Sequence, residues 1–151
     1  MAMILEGGCR CGAARYTLTV DAMPPVYCCH CHYCQSWSGS AFSQQAVVPA
    51  GALTATGPIV DYAYDTDSGA TSTHRFCETC HSRLWNTNTR LPGFAVVRTG
   101  TLDASDTLMP RLHIWVKRKQ PWIVIDDDIP SYEESAHPAE FVAIVLGNAA
   151  P

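Results

Sequence analysis

Apolar and polar residues alternate with a period of two along much of the chain. The clearest case runs from Ala14 to Val20, where every second residue is apolar and the residues between are arginine or threonine. Because side chains alternate between the faces of a strand, this pattern predicts a half-buried strand. Similar short runs predict further strands at 26–28, 42–48, 53–56, 59–64, 72–76, 83–87, 94–99 and 112–117. Short strands separated by turn residues predict an all-β fold.

Glycine, proline and serine mark the expected turns. Gly57 and Pro58 predict a hairpin between segments 53–56 and 59–64, and the small residues of 36–40 predict a turn after the cysteine-rich segment. A short C-terminal helix is predicted with Pro138 in its first turn, residues 140–146 following and Gly147 as the stop, although its β-branched residues also suit a strand. We expect residues 1–134 to form one zinc-binding domain and residues 135–151 a C-terminal extension of uncertain structure.

Composition and charge exclude several classes of protein. The 151 residues are enough for a domain with its own apolar core, and 47% of them are hydrophobic. A net charge of −4 argues against non-specific binding to nucleic acid, which needs a basic surface. No apolar run reaches the ~18 residues of a membrane span, and the first residues lack the pattern of a signal peptide. We therefore expect a cytoplasmic protein whose thiols are free or bound to metal, and not paired in disulfides.

The eight cysteines fall into three groups along the chain: Cys9 and Cys11; Cys28, Cys29, Cys31 and Cys34; and Cys77 and Cys80. Such Cys-x-Cys and Cys-x-x-Cys spacings suit a tetrahedral thiophilic ion, and they suggest two zinc ions per chain. A closed structural site would take Cys9, Cys11, Cys77 and Cys80. A second, catalytic site would take Cys29, Cys31 and Cys34 and keep its fourth position open.

The fourth position of the second site has three alternative occupants. Cys28, His30 and His32 all lie close enough in sequence to close it and so make the site inert. On an extended segment the side chains of Cys28 and His30 point away from those of Cys29 and Cys31, whereas His32 lies in the turn and could reach. Side-chain direction alone favours the open position.

An open site with three thiolates favours one kind of chemistry. Three thiolates leave a bound zinc ion with net negative charge, which makes it a weak generator of hydroxide. It can still bind an incoming thiol and deprotonate it. The ligand set therefore points to a thiol substrate and away from ester or amide hydrolysis, although no general acid or base can be named.

The order of these motifs resembles the glutathione-dependent formaldehyde-activating enzyme family, which also includes centromere protein V. The resemblance rests on the segments 8–12 (Gly-Cys-Arg-Cys-Gly), 29–35 (Cys-His-Cys-His-Tyr-Cys-Gln) and 76–80 (Phe-Cys-Glu-Thr-Cys). It continues through 38–42 and from His113 to Trp122, so that it covers roughly residues 5–132. Seven of the eight cysteines are in the register of the family.

The resemblance implies a fold, two zinc sites and a reaction. The fold is a β-tent of antiparallel sheets with a zinc-ribbon-like core. The structural zinc maps onto Cys9, Cys11, Cys77 and Cys80, and the catalytic zinc onto Cys29, Cys31 and Cys34. The activity is condensation of glutathione with formaldehyde to S-(hydroxymethyl)glutathione, classed as a carbon–sulfur lyase by its reverse direction. The partners are then a glutathione-like thiol and a small carbonyl compound. The sequence leaves open whether the protein forms a homo-oligomer. It also leaves two alternative functions: a non-catalytic zinc-binding interaction domain, and a redox-sensing thiol cluster.

One residue departs from the family, and a few others invite a functional interpretation. His81 stands where the family has glycine after its last Cys-x-x-Cys, so we expect it to bear a positive φ. Trp37 follows the cysteine cluster and either walls the open position or packs in the core. The basic run 117–119 is expected at a solvated hairpin tip. The remaining aromatic residues of interest are expected in structural roles: Trp85, Trp115 and Trp122 in the core, and His74 and His113 on strands.

Overall fold

The computed structural model describes residues 1–145. Its ten strands are β1 (Met3–Gly8), β2 (Arg15–Val20), β3 (Val26–Cys29), β4 (Ser43–Pro49), β5 (Leu53–Thr56), β6 (Ile59–Asp65), β7 (Thr71–Cys77), β8 (Arg83–Asn88), β9 (Phe94–Arg98) and β10 (Pro110–Ile114). Two helices, α1 (His32–Ser38) and α2 (Pro138–Val145), are both short. The predicted all-β fold with a short C-terminal helix is confirmed.

The chain forms two compact units, and each is assembled from two separate segments. The first unit combines Met1–Met23 with Val47–Thr107. The second combines Pro24–Ala46 with the chain from Leu108 onward. A unit built from distant segments depends on non-local contacts, because local sequence alone does not bring its segments together.

The first unit contains an antiparallel three-stranded sheet and a four-stranded meander. The sheet has the order β1-β2-β5, and the meander runs β6-β7-β8-β9 with antiparallel neighbours. The apolar positions of β2 face inward, since Tyr16 and Leu18 are buried. The Tyr16 ring meets the Trp85 ring edge to face with centroids 6.0 Å apart. Trp85 is thus in the core, as predicted.

The second unit is organised around β3. This strand runs antiparallel to β4 on one side and parallel to β10 on the other, and all four of its residues are buried. Burial on both faces explains why its sequence, Val-Tyr-Cys-Cys, does not alternate with polar residues. Helix α2 lies in the same unit, where the Phe141 ring packs edge to face on Tyr27 with centroids 5.1 Å apart.

The predicted hairpin at Gly57 and Pro58 is wrong. Both strands exist, but β5 pairs with β2 and β6 pairs with β7, so the turn carries the chain from one sheet to another. Gly57 adopts a φ of +98°, and a Cβ at this position would lie 2.1 Å from the Ala13 carbonyl oxygen. The glycine therefore permits a close approach between two backbones, which the sequence pattern does not distinguish from a hairpin turn.

Two further predictions along the second unit need correction. Residues 36–38 belong to α1, which ends where Gly39 takes a left-handed conformation, so the predicted turn begins only there. Strand β10 ends at Ile114 because Trp115 has a φ of +60°, and residues 116–118 form a single 3-10 turn. The basic run 117–119 is thus not a hairpin tip, and Lys117 pairs with Glu134.

The aromatic residues of the region after β10 also differ from expectation. Trp115 is only half-buried, and Trp122 is 71% exposed. Neither tryptophan is in a strand, because Trp115 follows the last residue of β10 and Trp122 lies in a turn. The prediction of core packing was therefore wrong for both.

The C-terminal helix begins at Pro138, as predicted, and is described as far as Val145. Leu146 and Gly147, the predicted end and stop, lie outside the described residues. Val145 and Ala136 are buried, and the Phe141–Tyr27 contact is made within the chain. Apolar burial therefore joins residues 136–145 to the second unit.

Replacing Gly57 with alanine should lower the free energy of unfolding by about 3 kcal/mol, because a clash with backbone adds to the cost of a positive φ. Gly69→Ala is the matched control, since Gly69 has a φ of +78° but nothing within 4 Å of the added Cβ. We expect the control to lose about 1 kcal/mol. Urea denaturation of the metal-loaded proteins measures both. Equal losses would show that the approach to Ala13 carries no extra cost.

Candidate metal centres

Four cysteine sulfurs converge in the first unit, which we call the four-thiol cluster: Cys9, Cys11, Cys77 and Cys80. All four Sγ atoms lie within 4.8 Å of one another. The Cys9 and Cys11 sulfurs are 3.5 Å apart, and those of Cys11 and Cys77 are 3.8 Å apart. Sulfurs bound ~2.3 Å from a tetrahedral zinc would be separated by ~3.8 Å. The geometry of this cluster therefore fits such an ion.

Each pair of the four-thiol cluster lies in a tight turn that is closed by a backbone hydrogen bond. The Gly12 amide donates to the Cys9 carbonyl oxygen at 3.1 Å, and the His81 amide donates to the Cys77 carbonyl oxygen at 2.9 Å. Gly12 and His81 both have a positive φ, +82° and +59°. The left-handed conformation that the sequence predicted for His81 is present, at a cost of order 1 kcal/mol for a side chain with a Cβ.

A second set of sulfurs, the three-thiol cluster, lies in the second unit and consists of Cys29, Cys31 and Cys34. Cys29 ends β3, Cys31 is the N-cap of α1, and Cys34 lies in the first turn of that helix. The Cys34 amide donates to the Cys31 sulfur at 3.4 Å. The sulfur thus occupies the place that a serine or aspartate oxygen usually takes at a helix N-terminus. Cys29 is buried, while Cys31 and Cys34 are partly exposed.

The three residues considered for the fourth position stand apart from this cluster. Across residues 1–145, only Cys29, Cys31 and Cys34 group there as ligand atoms within 4.8 Å of one another. Cys28 is next to Gln44 and His113 in the sheet register, one residue out of phase with Cys29. His30 is fully buried, and its Nε2 lies 2.8 Å from Nδ1 of His113. His32 begins α1 and is exposed.

Crowding of the sulfurs perturbs their ionisation. Hydrogen bonds with the Cys29 and Cys34 thiols lower the pKa of Cys31 to about 2, whereas hydrogen bonds with Cys31 and Cys34 raise the pKa of Cys29. One thiolate therefore forms easily, and further ionisation is opposed by the charge already present. In the four-thiol cluster a hydrogen bond from the Ser82 hydroxyl lowers the pKa of Cys80 to about 5. Only a bound cation lets all sulfurs of a cluster ionise together.

Neighbouring polar groups hold the sulfurs in place, and sequence reasoning missed them. The Gln45 side-chain amide donates to the Cys34 sulfur at 3.4 Å, while its carbonyl oxygen accepts from the Tyr27 hydroxyl at 3.1 Å. The Ser82 hydroxyl lies 3.1 Å from the Cys80 sulfur. A polar pair such as Gln44-Gln45 in a predicted strand was the available signal, but the sequence does not show which of the two faces the cysteines.

None of the eight cysteines of the described chain is joined in a disulfide. Trp37 lies three residues after Cys34 on α1 and is 37% exposed. That spacing places both side chains on one face of the helix. The other residues singled out lie elsewhere: His74 is buried on β7, and His113 is buried on β10. None of the helices within residues 1–145 has the length and apolar character to cross a membrane.

A mostly β fold with one four-thiol and one three-thiol cluster defines a class of cysteine-rich proteins with two candidate metal centres. The family model described as "Glutathione-dependent formaldehyde-activating enzyme" matches residues 4–118. The chain belongs to this family. The family resemblance inferred from the cysteine motifs is thereby confirmed.

One relative carries the name of this family, and one solved structure shares the fold. A protein of Halomonas elongata is 27% identical over 146 residues, which cover 93% of both chains, and carries the name "Putative glutathione-dependent formaldehyde-activating enzyme". A crystal structure of a Rhodobacter sphaeroides protein matches with a TM-score of 0.53 and 19% identity, covering 66% of this chain and 88% of the other. At that identity the second match supports the fold alone.

Gln45→Leu should weaken binding of added Zn²⁺ by the three-thiol cluster roughly tenfold, because the amide that orients Cys34 is removed. Competition with a chromophoric chelator measures the fraction released from each site. Gln44→Leu is the matched control, since the adjacent residue is in register with Cys28 and not with Cys29. Identical release from the two variants would show that Gln45 does not support the cluster.

Proposed function

We propose that this protein is a zinc-dependent carbon–sulfur lyase that acts on a thiol–carbonyl adduct, as in formation or breakdown of S-(hydroxymethyl)glutathione. The observation that carries the proposal is the inequality of the two clusters. The four-thiol cluster supplies a complete tetrahedral set, whereas the three-thiol cluster supplies one ligand fewer. Structural zinc sites are closed, and catalytic ones keep a position for substrate.

The two clusters divide structure and chemistry between them. Cys9, Cys11, Cys77 and Cys80 would hold a structural ion that ties the chain after β1 to the β7–β8 turn. Cys29, Cys31 and Cys34 would hold the catalytic ion, and the partial exposure of Cys31 and Cys34 gives an incoming thiol access from solvent. Zinc bound there would lower the pKa of that thiol so that it reacts as a thiolate.

The protein's own groups would then position the reaction. Gln45 holds Cys34 and α1 holds Cys31, so the three sulfurs keep one geometry while substrate enters. The substrate sulfur adds to the carbonyl carbon, a carbon–sulfur bond forms, and the carbonyl oxygen takes a proton from water. The thiol proton leaves to solvent, which balances the reaction. In the reverse direction the carbon–sulfur bond breaks and the carbonyl compound is released.

Several properties of the chain support the choice of partners and compartment. The family name and the name of the Halomonas elongata relative both point to glutathione and formaldehyde. None of the eight cysteines is in a disulfide, which suits a reducing compartment, so we place the protein in the cytoplasm. The net charge of −4 gives no basis for nucleic-acid binding.

Serine substitutions of single ligands test the division of roles. Cys31→Ser should leave the protein folded with about one zinc ion per chain, and should lower turnover of glutathione and formaldehyde at least roughly a hundredfold. Cys77→Ser should lose the structural ion and unfold the protein, because binding of such an ion contributes directly to folding. Metal content by elemental analysis, circular dichroism and turnover are measured on the same preparations.

Three outcomes would count against the proposal. Equal loss of stability in the two variants would contradict the division between a structural and a catalytic ion. Two zinc ions that resist a chelator equally, without turnover, would favour the non-catalytic interaction domain. Loss of zinc with disulfide formation under mild oxidant would favour a redox sensor.

A further inference from the structure

In the sheet of the second unit, the side chains of Cys28, Gln44 and His113 form a row on the face opposite the three-thiol cluster. Cys28 of β3 is in register with Gln44 of β4 and with His113 of β10. Residues paired in register project to the same face, and successive residues project to opposite faces. The row of Cys28, Gln44 and His113 therefore faces away from Cys29, and from the Gln45 amide that contacts Cys34.

A pocket of about 540 Å³ lies over this row. Cys28, Gln44 and His113 form its floor, and the segment after β10 supplies walls that include Ile123 and Ile125. This volume falls in the range of small-molecule sites, which combine apolar walls with a few convergent polar groups. The pocket has both properties.

The rim of the pocket is unusually apolar for a protein surface. Met109, Trp122 and Val124 all line the pocket, and they are 75%, 71% and 92% exposed. Single exposed apolar side chains are ordinary, but three around one concave site mark a surface whose burial would be favourable in free energy. A ligand that fills the pocket would bury them.

The hydrogen bond between His30 and His113 determines whether the pocket floor presents a donor or an acceptor to a ligand. His30 Nε2 and His113 Nδ1 are 2.8 Å apart, so one ring donates its proton to the other. The remaining nitrogen of His30, Nδ1, is buried with no hydrogen-bond partner among the described residues. A buried N–H without an acceptor costs more than a buried lone pair without a donor, so Nδ1 carries no proton and Nε2 is the donor.

This assignment fixes the tautomer of His113. Its Nδ1 accepts from His30, so its proton is on Nε2. His113 lines the pocket, and the hydrogen bonds of the described chain involve its Nδ1 and backbone but not its Nε2. The floor thus presents an N–H donor beside the Gln44 amide.

The charges around the pocket exclude one class of ligand. Asp126 is the charged residue of the lining, and no lysine or arginine lines the pocket within the described chain. A carboxylate or phosphate would meet repulsion there and find no cation. Glutathione, which carries two carboxylates, therefore does not fit this pocket.

We propose that this pocket binds an uncharged, mainly apolar small molecule whose carbonyl oxygen accepts the hydrogen bond of His113 Nε2–H. Because β3 separates the pocket from the three-thiol cluster, this is a second ligand site and not part of the proposed reaction centre. Its occupancy does not require the proposed function to be correct.

The zinc-loaded full chain can be titrated with prodan, an uncharged naphthyl ketone whose emission shifts to the blue in apolar surroundings. We expect saturable binding of one molecule per chain. Trp122→Ala should weaken it at least roughly tenfold, since a large aromatic contact is lost. Tyr62→Ala is the matched control, because Tyr62 is a 54% exposed aromatic residue outside the lining, and it should bind prodan as the unaltered chain does.

A second variant tests the hydrogen bond from His113 to the ligand separately from the apolar contacts. His113→Phe should weaken prodan binding roughly fivefold, as expected for one lost hydrogen bond, and should leave binding of the carbonyl-free dimethylaminonaphthalene unchanged. Circular dichroism and metal content check that the variant is folded. If that variant misfolds, Gln44→Glu is used instead, which should weaken prodan through a carboxylate facing the carbonyl oxygen.

Four results would overturn the proposal. These are no saturable binding of prodan, equal binding by Trp122→Ala and Tyr62→Ala, an equal loss of both naphthalene probes in His113→Phe, and tighter binding of the anionic anilinonaphthalene sulfonate than of prodan. Loss of turnover in Cys31→Ser with prodan binding retained would separate this site from the proposed reaction centre.

Discussion

Close approach of cysteine sulfurs is the constraint on which both units depend. Cys11 and Cys77 are 66 residues apart in sequence, yet their sulfurs are 3.8 Å apart. Closing such a loop costs conformational entropy, and bringing several ionisable thiols together adds electrostatic repulsion. A thiophilic cation offsets both terms, because it binds the sulfurs as thiolates. The close approach of these sulfurs is therefore favourable when a cation is bound and unfavourable when the thiols are bare.

The two clusters differ because their sulfurs come from different local structures. Two tight turns, which contain Gly12 and His81, each direct a pair of sulfurs to a common point, so that four sulfurs meet there. The other cluster combines a strand end, a helix cap and a first-turn residue. That combination supplies three sulfurs, and the alternation of β3 directs Cys28 to the opposite face. The difference in the number of sulfurs thus follows from backbone geometry.

Strand β3 connects the cluster to the pocket on the other side of the sheet. Its period of two sends Cys29 toward the cluster and Cys28 toward the pocket floor, so one four-residue strand contributes to both. The neighbouring strands repeat this division, since Gln45 contacts Cys34 while Gln44 lines the pocket. A shift of one residue in the register of β4 would exchange these roles.

The sequence by itself determined the features that depend on local spacing. Cysteine spacing indicated both clusters, alternation indicated the strands, and proline at position 138 marked the start of α2. His81 stands where the family has glycine, which indicated a positive φ at this position. These are properties of a few consecutive residues, for which steric preferences and periodicity are sufficient.

Only the tertiary structure decided which elements meet. In the tertiary structure β5 pairs with β2 and β6 pairs with β7. Strand β10 ends before Trp115, which has a left-handed conformation, and His30 is hydrogen-bonded to His113, 83 residues away. The tertiary structure also decided which of two adjacent glutamines faces the cysteines. Alternation states that neighbours face opposite sides, but the choice of side and of partner strand is settled by the burial and hydrogen bonding of the whole chain.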